Sequence, residues 1–281
     1  MKLQERKLTL FAPEAASRAV LADLSDIRIL AKLTSKMLIK NLFIEVSASM
    51  LPKVADIVKA SNESRLLRAL FIREDVDSKL FSQIFQRADL RLMRNILIHG
   101  ANDWTLPDRV LRAWNWGAEN DLIATAAVIG ENLSVLTCAL EQIEIPFEII
   151  ESLKMLPVLN RAHFEIDGDG SCIHWPEVDV HIDINGLRYM TDPAWRARVD
   201  LEVLTYNREF GNAIATVRKK HGLRQSDIHD LTDRQMRRIE SGEAHPSVKS
   251  LNLLARAHDL SFDEYLRQIG QFLTIPTRAS H

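Results

Sequence analysis

Apolar residues change their spacing near residue 200, and that change constrains the fold more than any other feature of the chain. From Phe210 onward they recur three and four residues apart: Phe210, Ala213, Ile214 and Val217 share one face of an amphipathic helix. Between Asp121 and residue 200 they fall instead into short runs broken by turn residues, as strands do. A segment written in one period does not settle into the other structure, so the chain must divide. Its 281 residues suit about two domains at roughly 100–200 residues each. The expected fold class is α+β. Residues 1–120 form a mixed region for sensing or dimerisation, 121–200 a small α+β domain, and 205–270 an all-α unit of five helices.

In the first region, Lys7–Phe11 and Lys40–Val46 read as strands, and Pro52–Lys59 and Glu63–Phe71 as helices. Ser78–Arg94 reads as a helix from Leu80, Phe81, Ile84, Phe85, Ala88 and Leu92. Pro107 opens a helix through Trp116, since proline is tolerated in a first turn. Trp104, Trp114 and Trp116 are expected in the core rather than in a ligand box. In the second region, Ile123–Ile129 and Leu133–Leu140 flank the turn Gly130-Glu131-Asn132. Ile143–Phe147 extends that sheet, Glu148–Leu156 reads as a short helix, and Phe164–Ile166 and Cys172–Trp175 flank Asp167-Gly168-Asp169-Gly170. Asp-Gly pairs favour tight turns because glycine accepts positive φ.

The third region carries explicit helix punctuation. Gly222 closes the first helix and Arg224-Gln225-Ser226-Asp227 starts a short second one, with Ile228 and Leu231 turned inward. Thr232 and Gln235 make a Thr-x-x-Gln capping box for a third helix, whose Met236 and Ile239 face the core while Arg234, Arg237 and Arg238 point outward. Pro246-Ser247 opens a fourth helix and Ser261 caps a fifth. From Thr274 on the chain reads as a frayed tail.

The segment FGNAIATVRKKHGLRQSDI…LTDRQMRRIESGEAHPSVKSLNLLARAHDLSFDEYL resembles the lambda-repressor-like, or XRE-type, helix-turn-helix family. The GL-x-Q step at Gly222–Gln225, RRIESGE at Arg237–Glu243, the Pro-Ser pair and the final LSFDEYL carry the likeness. The stretch from Gln225 to Glu240 is shorter than the family's usual spacing. The resemblance implies double-stranded DNA as partner, with the third helix in the major groove. It places Asp233, Arg234, Gln235 and Arg237 at groove-facing positions, Gln225 on a phosphate, and Arg218 and Glu240 in a structural ion pair. Arg238, Lys219 and Lys220 complete the expected contact set, since Arg and Gln read base edges and Lys holds phosphate.

In the middle region Cys172, His174, Asp179, His181 and Asp183 lie close in sequence, and Asp179, His181 and Asp183 would share one face of a strand. Imidazole with carboxylate suits zinc, iron or manganese. The spacing matches no standard site, so these residues are expected to hold a loop and strand end, and no metal or other cofactor is expected. FEIDGDGSCIHWPEVDVHID, with the preceding IEIPFEIIESL, is similar to a small bacterial family of unknown function, the likeness running from Asp121 to Arg198. That resemblance requires no metal. The Asp-Gly repeat lacks the downstream glutamate of a calcium loop. No phosphate loop, G-x-S-x-G elbow or H-E-x-x-H occurs, so no catalytic residues are expected.

A formal net charge of −2 excludes a uniformly basic coat, so DNA binding requires a local basic face. Two cysteines make no disulfide framework, and no apolar run is long enough to span a bilayer. A cytoplasmic protein is expected. The leading expectation is a homodimeric transcriptional regulator, in its simplest form a repressor, with a small-molecule or protein ligand for the N-terminal region. The alternatives are an antitoxin that represses its own operon and a metal-dependent enzyme carrying a DNA-targeting module.

Overall fold

Short apolar runs among the first hundred residues pair side by side as parallel strands. The computed structural model of the chain describes residues 7–24, 26–77, 80–90, 93 and 95–273. Strands β1 (Thr9–Phe11), β2 (Arg28–Leu30), β3 (Leu42–Ser47), β4 (Leu67–Arg73) and β5 (Ile96–His99) form one sheet in the order β2-β1-β3-β4-β5, every pair parallel. Between them run α1 (Ala15–Val20), α2 (Leu51–Glu63) and α3 (Phe81–Ala88), and α4 (Thr105–Trp116) follows β5. Alternate residues of β3 separate the two faces. Phe43 packs with Leu21, Val110 and Leu111 on the α1 and α4 side, whereas Leu42, Ile44 and Val46 pack with Val54 and Val58 of α2. This is a doubly wound sheet.

Glu63–Phe71, expected as a helix, instead holds the last residue of α2 and most of β4. A strand covered on both faces is apolar throughout and loses its period-two signature. Residues 67–73 are such a strand, buried except at Arg68 and Arg73. The helix expected over Ser78–Arg94 spans only Phe81–Ala88 and stops where Asp89 turns left-handed at φ 53°; Ser78, Leu92 and Arg94 lie outside the described residues. Trp114 and Trp104 pack against the core, Trp114 donating from Nε1 to the Cys138 carbonyl at 2.9 Å, while Trp116 is exposed.

Two small antiparallel sheets follow. Strands β6 (Ile123–Ile129), β7 (Asn132–Thr137) and β8 (Gln142–Pro146) meander in order, and β9 (Glu165–Ile166), β10 (Ile173–Trp175) and β11 (Val180–Ile182) pair in the order β11-β10-β9. Where a helix was expected over Glu148–Leu156 there are separate 3-10 turns, Phe147–Ile149 and Glu151–Leu153, which bury Phe147 and Leu153 beside Trp175. Helix α5 (Ile184–Thr191) closes this core. The Asp-Gly turn ends at Gly170 with φ +82°, whose carbonyl accepts from Ile123 N at 2.8 Å. The buried Arg109 of α4 donates to the carbonyls of Ala124 and Asp167, tying the parallel sheet's helix layer to this region. These elements all belong to one compact unit, Met1–Thr191.

The second unit is Asp192–His281. Asp192 accepts from Ala194 N and Trp195 N and so caps α6 (Pro193–Lys220), much longer than the helix read from Phe210 because neither Gly nor Pro stands between Pro193 and Phe210. The expected second helix is a single 3-10 turn, Gln225–Asp227: Asp227 turns back to accept from Arg224 N, and too few residues remain before Thr232 for a full helix. Then come α7 (Asp233–Glu240), α8 (Val248–Ala257) and α9 (Phe262–Gly270), packed around Ile214, Met236, Leu254 and Tyr265. The whole chain is thus of mixed α and β structure, and no helix among the described residues is long and apolar enough to cross a membrane.

His258 is buried in the second core, its Nδ1 donating to the Leu254 carbonyl at 2.6 Å. Burial pushes its pKa below the ordinary 6.5, and nearby His221 and Arg218 act the same way against the raising effect of the carbonyl. The unfolded chain therefore takes up this proton first as pH falls. The stabilising contribution is intact above the unfolded pKa and shrinks below it. The melting temperature of the second unit is expected to drop between about pH 7 and about pH 5.5, and to drop less in His258→Gln. An equal drop in the variant assigns the effect to other groups.

Candidate functional site

The residues expected to meet DNA lie mainly on α7, and three contacts fix how that helix is held. Thr232 Oγ1 accepts from Gln235 N at 3.2 Å while Gln235 Oε1 accepts from Thr232 N at 2.9 Å, so the capping box is formed. Arg218 Nε and Nη2 donate to the two carboxylate oxygens of Glu240 at 2.6 and 2.9 Å, with both side chains 9 % exposed. Gly211 of α6 lies so close to the end of α7 that a Cβ there would stand 2.4 Å from the Ile239 carbonyl oxygen. With Met236 and Ile239 buried, this leaves Asp233, Arg234, Gln235, Arg237 and Arg238 exposed on a fixed helix.

The remaining expected contacts divide. Lys219 and Lys220 are exposed at the end of α6, Lys220 with its ammonium 4.3 Å from the centre of the Phe272 ring. Gln225 is half-buried and donates from Nε2 to Glu240 Oε2 at 2.6 Å, so its amide serves the ion pair. Gln235 has spent its oxygen on the cap, and reading adenine takes both amide atoms. Only its Nε2 donor remains for a base acceptor.

Sequence reading passed over a second cluster, at the carboxyl ends of the parallel strands. Glu14, which follows β1, accepts from Ser47 N at 2.7 Å and pairs with Arg73 of β4 at 2.9 Å, bridging β1 and β3. Beneath it the fully buried Glu45 has Arg73 Nε and His99 Nε2 each 3.8 Å away, and neither of its oxygens has a hydrogen-bond partner among the described residues. Ser49 donates from both N and Oγ to Asp75. Burial works against ionisation of Asp75, but the bonds from Ser49 and Ser47 outweigh it and hold this carboxyl below its usual range. Trp104 covers the cluster, 5.1 Å from the His99 ring and 5.5 Å from the Arg73 guanidinium. In open α/β sheets ligands bind outside the carboxyl ends where strand order reverses, here between β1 and β3. The signal was a charged or polar residue closing each apolar run, in LFIEVS, LFIR and ILIH.

In the middle region the five clustered candidates separate. Asp183 Oδ1 accepts from Gly186 N at 2.6 Å and so serves the first turn of α5. Cys172 donates from Sγ to Asp167 Oδ2, and burial together with that carboxylate pushes its thiol up to about 11. His174, Asp179 and His181 stay together.

Residues 141–190, from the start of β8 almost to the end of α5, match a family model described as Protein of unknown function (DUF2442). The match falls in the middle region. No XRE-type helix-turn-helix model matches the chain, which corrects the resemblance drawn for residues 210–266. The short Gln225–Glu240 spacing is where that likeness fails physically, since a 3-10 turn stands in place of a second helix. No curated protein and no solved structure matches the chain.

Proposed function

We propose that this chain is a DNA-binding regulator whose second unit, an all-α domain, reads duplex DNA with α7. The observation that carries the reading is the outward arginine set, Arg234, Arg237 and Arg238, on a helix capped at one end and anchored by a buried ion pair at the other. A fixed helix bearing guanidiniums suits the major groove, where Arg bridges guanine O6 and N7. Arg234, in the first turn, is assigned to base reading, and Lys219 to phosphate. Selection from random duplexes by the full chain should enrich one motif; no enrichment contradicts the reading. On that motif Arg234→Ala should cost about 1–3 kcal/mol and relax one base position. Lys219→Ala should weaken all sequences alike and flatten the salt dependence by about one unit of slope.

The regulator reading extends to the first unit and to assembly. The buried Glu45 carboxyl group, beside Arg73 and His99 but without a hydrogen bond among the described residues, supports a small polar ligand at the carboxyl edge of the sheet. Exposed Leu201, Val203, Leu204 and Tyr206 on α6 support a homodimer. Sedimentation that shows a strict monomer, both free and on the selected duplex, contradicts the dimer.

A further inference from the structure

Antiparallel pairing sets His174 of β10 directly opposite His181 of β11 and, on its other side, opposite Glu165 of β9. Directly opposed residues share a face of the sheet. Their neighbours Ile173, Trp175 and Ile182 are buried in the core, so the histidines occupy the outer face. Their rings stack 3.9 Å apart at an interplanar angle of 11°. Asp179, in the turn that joins the two strands, has φ 52°, and its Oδ1 lies 3.7 Å from His174 Nε2, beyond hydrogen-bond range. Donor atoms of His174, Asp179 and His181 all lie within 4.8 Å of one another. His174 Nε2 is inaccessible to solvent and has no hydrogen-bond partner among the described residues.

We infer that His174, His181 and Asp179 form a binding site for one divalent transition-metal ion of the zinc class. Two imidazole nitrogens beside a carboxylate satisfy one another poorly without a cation. A divalent ion engages all three donors and orders the left-handed turn at Asp179. Around a tetrahedral zinc ion the donors stand about 3.3 Å apart. Rotation of the two rings about their terminal torsions, which have broad wells, brings the nitrogen lone pairs together without moving the strands. Three protein ligands leave a fourth position for water, the open arrangement of sites that bind or activate a small molecule. Cys172 and Asp183 stand outside the set because their polar atoms serve Asp167 and Gly186. This inference is independent of α7 and of DNA.

The test uses the full chain, stripped with chelator and titrated with zinc chloride against a competing fluorescent chelator, with metal content measured after dialysis. One zinc per chain is expected. His174→Ala and His181→Ala should each weaken binding at least about a hundredfold, and Asp179→Asn about tenfold. His163→Ala and Cys172→Ser should keep it. Circular dichroism of each metal-free variant shows whether its fold survives; His181→Ala, on the outer face, carries the test if His174→Ala does not fold. Absence of stoichiometric zinc overturns the site, and so does zinc retained by a folded His181→Ala chain.

Discussion

Replacement of Glu240 by alanine is expected to cost the second unit roughly 3–5 kcal/mol, the usual result of stranding a buried charge. Arg218 would lose both donated bonds to that carboxylate, and Gln225 would lose its acceptor. Among the described residues the guanidinium then keeps only the Leu223 carbonyl, at 2.6 Å. Amides of α7 should then exchange faster in hydrogen-exchange measurements on the full chain, while those of β3 and β4 keep their protection. The double change R218M/E240L separates stranding from loss of the pair. Because an apolar pair avoids the desolvation of two charges, it should recover most of the loss. A wild-type exchange pattern in Glu240→Ala would show that the pair is only a surface contact.

Gly211→Val should also destabilise the second unit, by another route. Gly211 and Arg218 lie seven residues apart on one face of α6, and both meet the end of α7. A side chain at 211 would collide with the carbonyl oxygens of Ile239 and Glu240, at 2.4 and 2.7 Å from its Cβ. Backbone cannot retreat as a flexible side chain can, so α7 would be pushed off α6, at a cost of about 1–3 kcal/mol or more. Gly270 is the control, since nothing among the described residues lies within 4 Å of a Cβ there. Gly270→Ala should be neutral or gain up to about 1 kcal/mol from helix propensity. If Gly211→Val melts like Gly270→Ala, close packing of the two helices is not what positions α7.

How much of this was legible in the sequence depended on which signals were local. The capping box at Thr232, the cap at Ser261 and the turn at Gly130 are written in a few adjacent residues, and the structure shows each of them. Strands β6 and β7 announced themselves by short runs around that turn. The parallel sheet did not, because a strand buried on both faces carries no alternation, and β4 therefore read as helix. The carboxyl-end cluster was hidden for a related reason. Glu14, Glu45, Arg73 and His99 come from separate elements, and only the strand order brings them together. The histidine pair was visible as residues but not as a site, since its geometry depends on the register His174 to His181. The XRE-type likeness rested on short steps in the right order, and the segment between them folds as a tight turn rather than a helix.

The central claim is that α7 contacts DNA through its arginines. Its most direct measurement is anisotropy on the selected duplex at several salt concentrations, with the full chain and with R234A/R237A/R238A. These side chains are exposed, so circular dichroism and melting should be unchanged. Loss of the three guanidiniums should weaken binding by about a hundredfold or more and flatten the salt dependence. A folded triple variant that binds with the wild-type affinity and the wild-type slope would contradict the account.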